Sequence, residues 1–261
     1  MASGKLTCHL PCGWHLKEKN MNDYEENALK EMFVWQGNMK KKPSFSSDMA
    51  KGLQNKMNNL IPGKVQDIIN ASIENMAKLV LTGSEYTSKP PLTNTSLEER
   101  ELLAKKSIDF YRKAATVSGA GTGASGLIVG LADFPILLSL KVKFLYELAS
   151  IYGFDVRNYK ERLYILYVFQ LAFSSDKKRL EIYTQISNWD NYVRDLPTDI
   201  GSFDWRTFQQ EYRDYIDLAK MLQLVPGIGM VVGAYANYKL MNKLYDTAIN
   251  AYRLRIFKKS L

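Results

Sequence analysis

The chain has 261 residues, of which 46% are hydrophobic, and its formal net charge is +8. This length suits one domain or two small ones, and the apolar content is sufficient for a sizeable core. Zinc-finger spacing, an RNP-like motif and a basic groove-reading helix are missing from the sequence, which argues against a nucleic-acid partner. Apolar residues recur at helical spacing almost throughout, so the predicted fold class is all-α.

The N-terminal residues differ in composition from the rest of the chain. Every cysteine and histidine lies here, as Cys8, His9, Cys12 and His15. This spacing is too cramped for the two separated ligand pairs of a closed zinc site, so we predict no metal and no cofactor. With no disulfide framework and no apolar leader, we expect a reducing, cytoplasmic setting. We interpret residues 1–20 as a disordered tail or extension and residues 21–261 as the folded domain.

Amphipathic helices are predicted from Asp23 to Pro43, over 48–60 and over 64–83. Asp23 and Glu26 have capping-box spacing, and Gly83 is suited to a helix C-terminus. The predicted buried stripes are Ala28, Met32, Trp35 and Met39 in the first helix, and Val65, Ile69, Ile73, Met76 and Val80 in the third.

Residues 84–94, with Pro90 and Pro91 at their centre, form the clearest linker and a possible boundary of an N-terminal subdomain. The helix that follows has two candidate capping boxes, Thr95 with Glu98 and Ser96 with Glu99. Its predicted buried stripe is Leu97, Ala104, Ile108, Tyr111 and Ala115.

Two uncharged segments, 114–132 and 221–238, contain glycines at four-residue spacing. These glycines are Gly119, Gly123, Gly126, Gly130, Gly229 and Gly233. Glycines at this spacing leave a helix side bare and let two backbones approach closely. We therefore predict two glycine-rich helical hairpins in the core of a multi-helix bundle. Nine Gly, Ser or Thr residues in the first segment, and Gln223 and Asn237 in the second, make these segments poor membrane spans, although an integral hairpin is an alternative.

Long apolar runs follow the first glycine segment. Asp133 is interpreted as the N-cap of a helix over 136–152, and the run over 163–173 predicts a central helix. The last helix begins near Pro226, buries Met241, Leu244, Ala248 and Tyr252, and ends in a basic cluster. That cluster consists of Arg253, Arg255, Lys258 and Lys259 and contains no acid. It is interpreted as a solvated helix end or as a surface for an anionic membrane.

Two groups of residues together resemble the EcsC family of bacterial proteins. The first is Gly123, Gly126 and Gly130 followed by Asp133-Phe134-Pro135, and the second is the run Leu224 to Ala234 with Asn237-Tyr238 and Ala251-Tyr252-Arg253. The resemblance extends from Asp23 through most of the chain. It implies an all-helical protein associated with an ABC exporter, and it supplies no catalytic residue. The phosphate-binding loop of an ATPase is missing from the sequence, so the chain is not the exporter's ATPase subunit.

Three functions are compatible with these features. The first is a non-enzymatic accessory protein, cytoplasmic or peripheral to the inner face of the membrane, whose partners are ABC transporter subunits or an anionic membrane surface. The second is a small-ligand or lipid-binding protein, or a hydrolase, with a pocket between the glycine segments formed by Asp133, Asn237 and Arg253. The third is an integral membrane hairpin. Because the main body lacks histidine and cysteine, the enzyme hypothesis is weaker, and no catalytic residue is assigned.

Overall fold

The computed structural model describes residues 21–41, 63–83, 89–121, 134–174, 176–196 and 230–259. Within these ranges the chain forms helices and no β-strand, which confirms the predicted all-α bundle. The helices are α1 (Asp23–Lys40), α2 (Gly63–Thr82), α3 (Leu97–Gly121), α4 (Phe134–Ile151), α5 (Tyr159–Phe173), α6 (Asp176–Ser187), α7 (Trp189–Tyr192) and α8 (Met230–Lys259). The helix predicted over 48–60 lies outside the described residues.

The predicted starts of α1, α2 and α3 agree with the structure to within one residue, whereas α5 begins at Tyr159, four residues before the predicted 163. In α1 the N-cap is Asn22, whose side chain accepts from the Glu25 amide at 2.8 Å, so the capping box begins one residue before the predicted Asp23. Of the two capping boxes predicted for α3, the one formed is that of Ser96 and Glu99, in which the Ser96 amide donates to Glu99 Oε2 at 2.9 Å. An asparagine amide oxygen caps as well as a carboxylate does, which explains the shift in α1.

The predicted buried stripes lie in one hydrophobic core. The stripe residues of α1, α2, α3 and α8 that the structure describes are all buried except Met39, which is half-buried and packs against the core. The residues of α5 from Leu163 to Phe173 are buried on every side, as expected of a central helix. The most extensive interface joins α3 to α8.

Residues before and after the predicted linker share this core. Tyr146 in α4 donates its hydroxyl proton to the carbonyl of Val80 in α2 at 2.7 Å. Part of the linker itself is bound to the bundle, because the Leu92 amide donates to the Ser150 carbonyl at 2.9 Å. The described helices on both sides of 84–94 therefore pack as one unit.

The glycine-rich segments are described only in part. Gly119 lies within α3 and Gly233 within α8, whereas Gly123, Gly126, Gly130 and Gly229 lie outside the described residues. The close-packing role of these glycines stays a prediction. Among the helices that are described, none combines the length and the apolar character needed to cross a membrane.

Candidate functional site

A polar cavity of about 390 Å³ lies where α1, α3 and α8 meet. Its lining residues are Tyr24 and Glu31 from α1, Glu98, Glu101, Leu102 and Lys105 from α3, and Tyr245, Asp246, Ile249, Asn250 and Arg253 from α8. Since Arg253 is one of the predicted pocket residues, this cavity is the candidate site. Its charged side chains come from all three helices, which bring them together where they pack.

The carboxylate of Glu101 is saturated with hydrogen bonds. Arg253 donates to it twice, from Nε to Oε1 at 2.7 Å and from Nη2 to Oε2 at 2.6 Å. The hydroxyls of Tyr24 and Tyr152 donate to Oε2 at 2.7 Å and to Oε1 at 3.1 Å. A carboxylate has about four lone-pair sites, so Glu101 has none left for a ligand.

Arg253 connects this buried carboxylate to the rim of the cavity. Its Nη1 donates to Glu31 Oε2 at 2.8 Å, and the Glu31 side chain is largely exposed. Burial by itself lowers the pKa of Arg253, but the hydrogen bonds to Glu101 and Glu31 outweigh burial, so the pKa is raised overall. The guanidinium therefore keeps its charge at every physiological pH.

The tyrosines of the cavity also keep one protonation state near neutrality. Burial, followed by the hydrogen bond to Glu101, raises the pKa of Tyr24. Burial likewise raises the pKa of Tyr245 to about 12. A general acid or base works best when its pKa lies near the working pH. These shifts move Tyr24 and Tyr245 away from that condition, which suits them to binding or to structure.

The prediction that Arg253 and Arg255 are free surface charges is wrong. Arg253 is only 6% exposed and is paired with Glu101 as described above. Arg255 makes a bidentate pair with Glu161 of α5, with Nη2 to Oε1 at 2.7 Å, and its guanidinium lies 3.8 Å from the ring centroid of Phe154. The partner acids come from α3 and α5, so the local run of bases could not reveal them.

The other predicted surface and pocket residues have different outcomes. Lys258 is exposed, and its ammonium donates to the Ser187 carbonyl. Lys259 ends α8, and its side chain is not among the described ones. Asn237 is fully buried in α8, and neither of its amide atoms has a hydrogen-bond partner among the described residues. Asn237 does not line the cavity around Arg253, and Asp133 lies outside the described residues.

Lys141 is a buried charge that the sequence analysis missed. It lies in α4 with no exposed surface, and within the described part of the chain its Nζ donates only to the Leu137 carbonyl of its own helix, at 3.4 Å. Burial lowers the pKa of Lys141 from 10.5 to about 7. A substantial neutral fraction is therefore present near pH 7.

A sequence signal for these buried charges exists at helical spacing. Glu101 falls between Leu97 and Ala104 in the buried stripe of α3, at intervals of four and three residues. Lys141 follows Leu137 and precedes Leu145, each by four residues, in the apolar run of α4. A charged residue within a buried stripe predicts either a partner from another helix or a shifted pKa.

No described group of three His, Cys, Asp or Glu side chains is placed to hold a metal ion, and the cluster from Cys8 to His15 lies outside the described residues. The fold and the site therefore define an all-α bundle protein with a polar cavity in which acids outnumber bases, with Glu31, Glu98, Glu101 and Asp246 against Lys105 and Arg253.

Comparison with known proteins assigns the family. The sequence model of the EcsC protein family matches residues 26–257, so the chain belongs to the EcsC family. It is 44% identical to Protein EcsC of Bacillus subtilis (strain 168) over 233 residues, which cover 89% of this chain and 96% of that protein. It is 27% identical to the uncharacterized protein YdbA of the same bacterium over 249 residues, covering 87% of this chain and 90% of YdbA. No solved structure was found to match the chain.

Proposed function

We propose that this protein is a non-enzymatic accessory factor that works at the cytoplasmic face of an anionic membrane, together with an ABC exporter. The observation that carries the non-enzymatic part is the closed network around Glu101. Four donors occupy this carboxylate, and the guanidinium of Arg253 is held between Glu101 and Glu31. Groups whose hydrogen-bonding sites are filled by one another in this way are held in place and are not poised to transfer protons.

The membrane part of the proposal rests on charge. The formal net charge is +8 and the sequence pI is about 9.2. Since Arg253 and Arg255 are paired internally, the charge available to an anionic surface comes mainly from exposed lysines. Each basic residue close to an anionic leaflet contributes about 1 kcal/mol of attraction, and added salt screens this attraction.

A vesicle assay tests the membrane part. The purified full chain is mixed with vesicles of phosphatidylglycerol and phosphatidylcholine, or of phosphatidylcholine alone, and the bound fraction is measured by flotation at low and high salt. We expect binding to the anionic vesicles that high salt reverses. Equal binding to both kinds of vesicle, or no binding to either, would contradict the proposal.

The exporter part follows from the family resemblance and has its own test. The tagged chain is incubated with detergent-purified exporter containing both its ATPase and its membrane subunits. We expect the two to co-purify, and we expect the ATPase rate of the exporter to change when the chain is added. If neither occurs, the exporter link fails while the membrane proposal stands.

A further inference from the structure

One side of α3 presents large apolar residues to solvent in a regular row. Leu103, Phe110 and Val117 are 39%, 66% and 74% exposed, and they follow one another at intervals of two helical turns. Residues at this spacing lie on the same side of a helix. The opposite side of α3 already fills the core, so this second row is not needed for packing. In α4, Ile136 is 53% exposed as well.

A groove of about 410 Å³ joins this row to α4. Leu103 and Phe110 line it from α3, and Ile151 lines it from α4. Ring contacts fix how the two helices face each other, because Tyr111 lies between Phe110 at 5.2 Å and Phe144 of α4 at 5.8 Å. Leu103 and Phe110 therefore border a depression that both apolar and polar side chains line.

Several exposed lysines lie near this groove, and few acidic residues offset their positive charge. Lys106 and Lys113 of α3 and Lys143 of α4 are exposed, and none of them has an ion pair in the part of the chain that the structure describes. The Lys89 side chain is 85% exposed and lies 4.0 Å from Glu147 Oε1.

The acidic residues on this side already have partners within the protein. Glu147, which lines the groove, has Lys89 beside it and accepts a hydrogen bond from Tyr111. Asp109 is the acid of α3 that follows Glu101 in the chain, and it forms an ion pair with Arg112 at 3.0 Å. The exposed charge around the groove is therefore mainly positive.

We propose that the α3/α4 face, defined as Leu103, Phe110, Val117 and Ile136 with the surrounding Lys89, Lys106, Lys113 and Lys143, docks on an anionic lipid bilayer. This inference rests on the proposed function and names its contact surface. Phe110 and its apolar neighbours enter the boundary between headgroups and acyl chains, where an amphipathic helix surface binds. The lysines extend their ammonium groups to the lipid phosphates, and their stems cover the apolar edge.

Charge complementarity favours a lipid surface as the occupant. Apolar residues inside a ring of lysines match a bilayer surface, which is negative outside and apolar a short distance below. The basic end of α8 is a weaker candidate, because Arg253 and Arg255 are held in ion pairs with Glu101 and Glu161.

A pair of matched double variants tests the α3/α4 face. Lys106→Glu/Phe110→Ser changes the face, and Lys30→Glu/Val34→Ser makes the same charge change on α1, a helix that does not line the groove. Both pairs are spaced by one helical turn, and Phe110 and Val34 are 66% and 68% exposed. Binding to anionic vesicles is measured by flotation, and thermal melts verify that both variants fold.

We expect the α3 variant to bind about 20-fold more weakly than the parent, while the α1 variant binds within about twofold of it. If the parent binds and the two variants lose affinity equally, or neither loses any, the face is wrong while the membrane function stands. If the parent binds no anionic vesicle, the membrane function and the face fail together. Binding of the parent to polyglutamate but not to vesicles would assign the face to an acidic protein and overturn the lipid proposal.

Depth of insertion gives a second measurement that does not depend on charge reversal. Phe110→Trp and Val34→Trp each add one indole to the parent, and brominated lipids quench indoles that enter the acyl region. The Phe110→Trp variant should show quenching beyond that of the parent on anionic vesicles, and the Val34→Trp variant should not. Equal quenching in the two variants would contradict insertion of the α3/α4 face.

Discussion

Arg253 and Glu101 hold each other in a largely buried contact between α8 and α3. Their side chains are 8% and 5% exposed, so neither charge can turn to solvent if the other is lost. An unpaired charge at such a position has a large desolvation penalty. The pair lies between the two helices with the most extensive interface in the described bundle.

Replacing Arg253 alone should therefore be costly. We expect Arg253→Met to lower the free energy of unfolding by about 3–5 kcal/mol, because it leaves the Glu101 carboxylate buried without its cation. Glu101→Gln added to this variant should restore part of the loss. Arg157→Met is the control, since Arg157 is 83% exposed in its pair with Asp155, and it should change stability by about 1 kcal/mol or less. Urea unfolding measures all three, and equal losses from Arg253→Met and Arg157→Met would contradict the interpretation.

Lys141 makes stability depend on pH in a defined direction. The unfolded chain keeps this lysine protonated up to its usual pKa of 10.5, whereas the folded chain releases the proton near a pKa of about 7. Between these values the unfolded state binds more protons, so the stability contributed by this site rises with pH. Below pH 7 both states are protonated and the penalty is constant.

Lys141→Met should accordingly be more stable than the parent at pH 7. Its advantage should shrink as the pH rises towards 10.5, by at most about 1.4 kcal/mol per pH unit, because methionine has no charge to lose. Urea unfolding at several pH values between 7 and 10 measures the difference. Lys143→Met, at an exposed position of the same helix, should show no such trend. An advantage that did not vary with pH would mean that Lys141 keeps its charge in the folded protein.

Among the secondary-structure elements, the C-terminus of α4 has the tightest backbone requirement. Gly153 has a φ of +86°, a conformation that residues with a Cβ rarely adopt. A Cβ placed there would lie 2.9 Å from the Leu92 carbonyl oxygen and 2.9 Å from Arg100 Nη1. Arg100 already donates from Nη1 to the Ile151 carbonyl at 2.7 Å and from Nη2 to the Leu92 carbonyl at 3.1 Å. The glycine lets α3 and the segment before it close over the end of α4.

Gly153→Ala should lower the free energy of unfolding by about 2–3 kcal/mol, since it adds both backbone strain and a close contact. Gly37→Ala in α1 is the matched control. A Cβ at Gly37 would have no neighbour within 4 Å, and alanine favours a helix. That variant should gain about 0.5–1 kcal/mol. Thermal or urea unfolding measures whether each variant is more or less stable than the parent. A Gly153→Ala variant as stable as the parent would show that the end of α4 can relax.

At the scale of the whole molecule, the described helices form one core, and their charges are of two kinds, buried pairs and exposed lysines. Acids and bases brought together by α1, α3, α5 and α8 neutralise one another at Arg253 and Arg255. The lysines at the α3/α4 groove keep their charge exposed beside apolar residues. The net positive charge is therefore not spread evenly, and the part able to attract an anionic surface lies beside a groove.

The sequence by itself determined the helices and their buried sides. Met32 in α1, Ile108 in α3 and Leu244 in α8 each belong to a row of apolar residues that recur every three or four positions and are buried in the structure. This spacing is a property of one segment of sequence and can be read without knowing its neighbours. The capping spacing of Ser96 and Glu99 and the position of Gly83, with a φ of +68°, are local for the same reason.

Only the tertiary structure decided which charges are free. Arg253 and Arg255 stand in a run of bases without an acid, and their partners Glu101 and Glu161 lie 152 and 94 residues away in the chain. The position of the Phe110 row beside the groove likewise depends on how α3 and α4 pack. Pairing and exposure are set by helices that meet in space, and spacing along one helix carries no information about its neighbours.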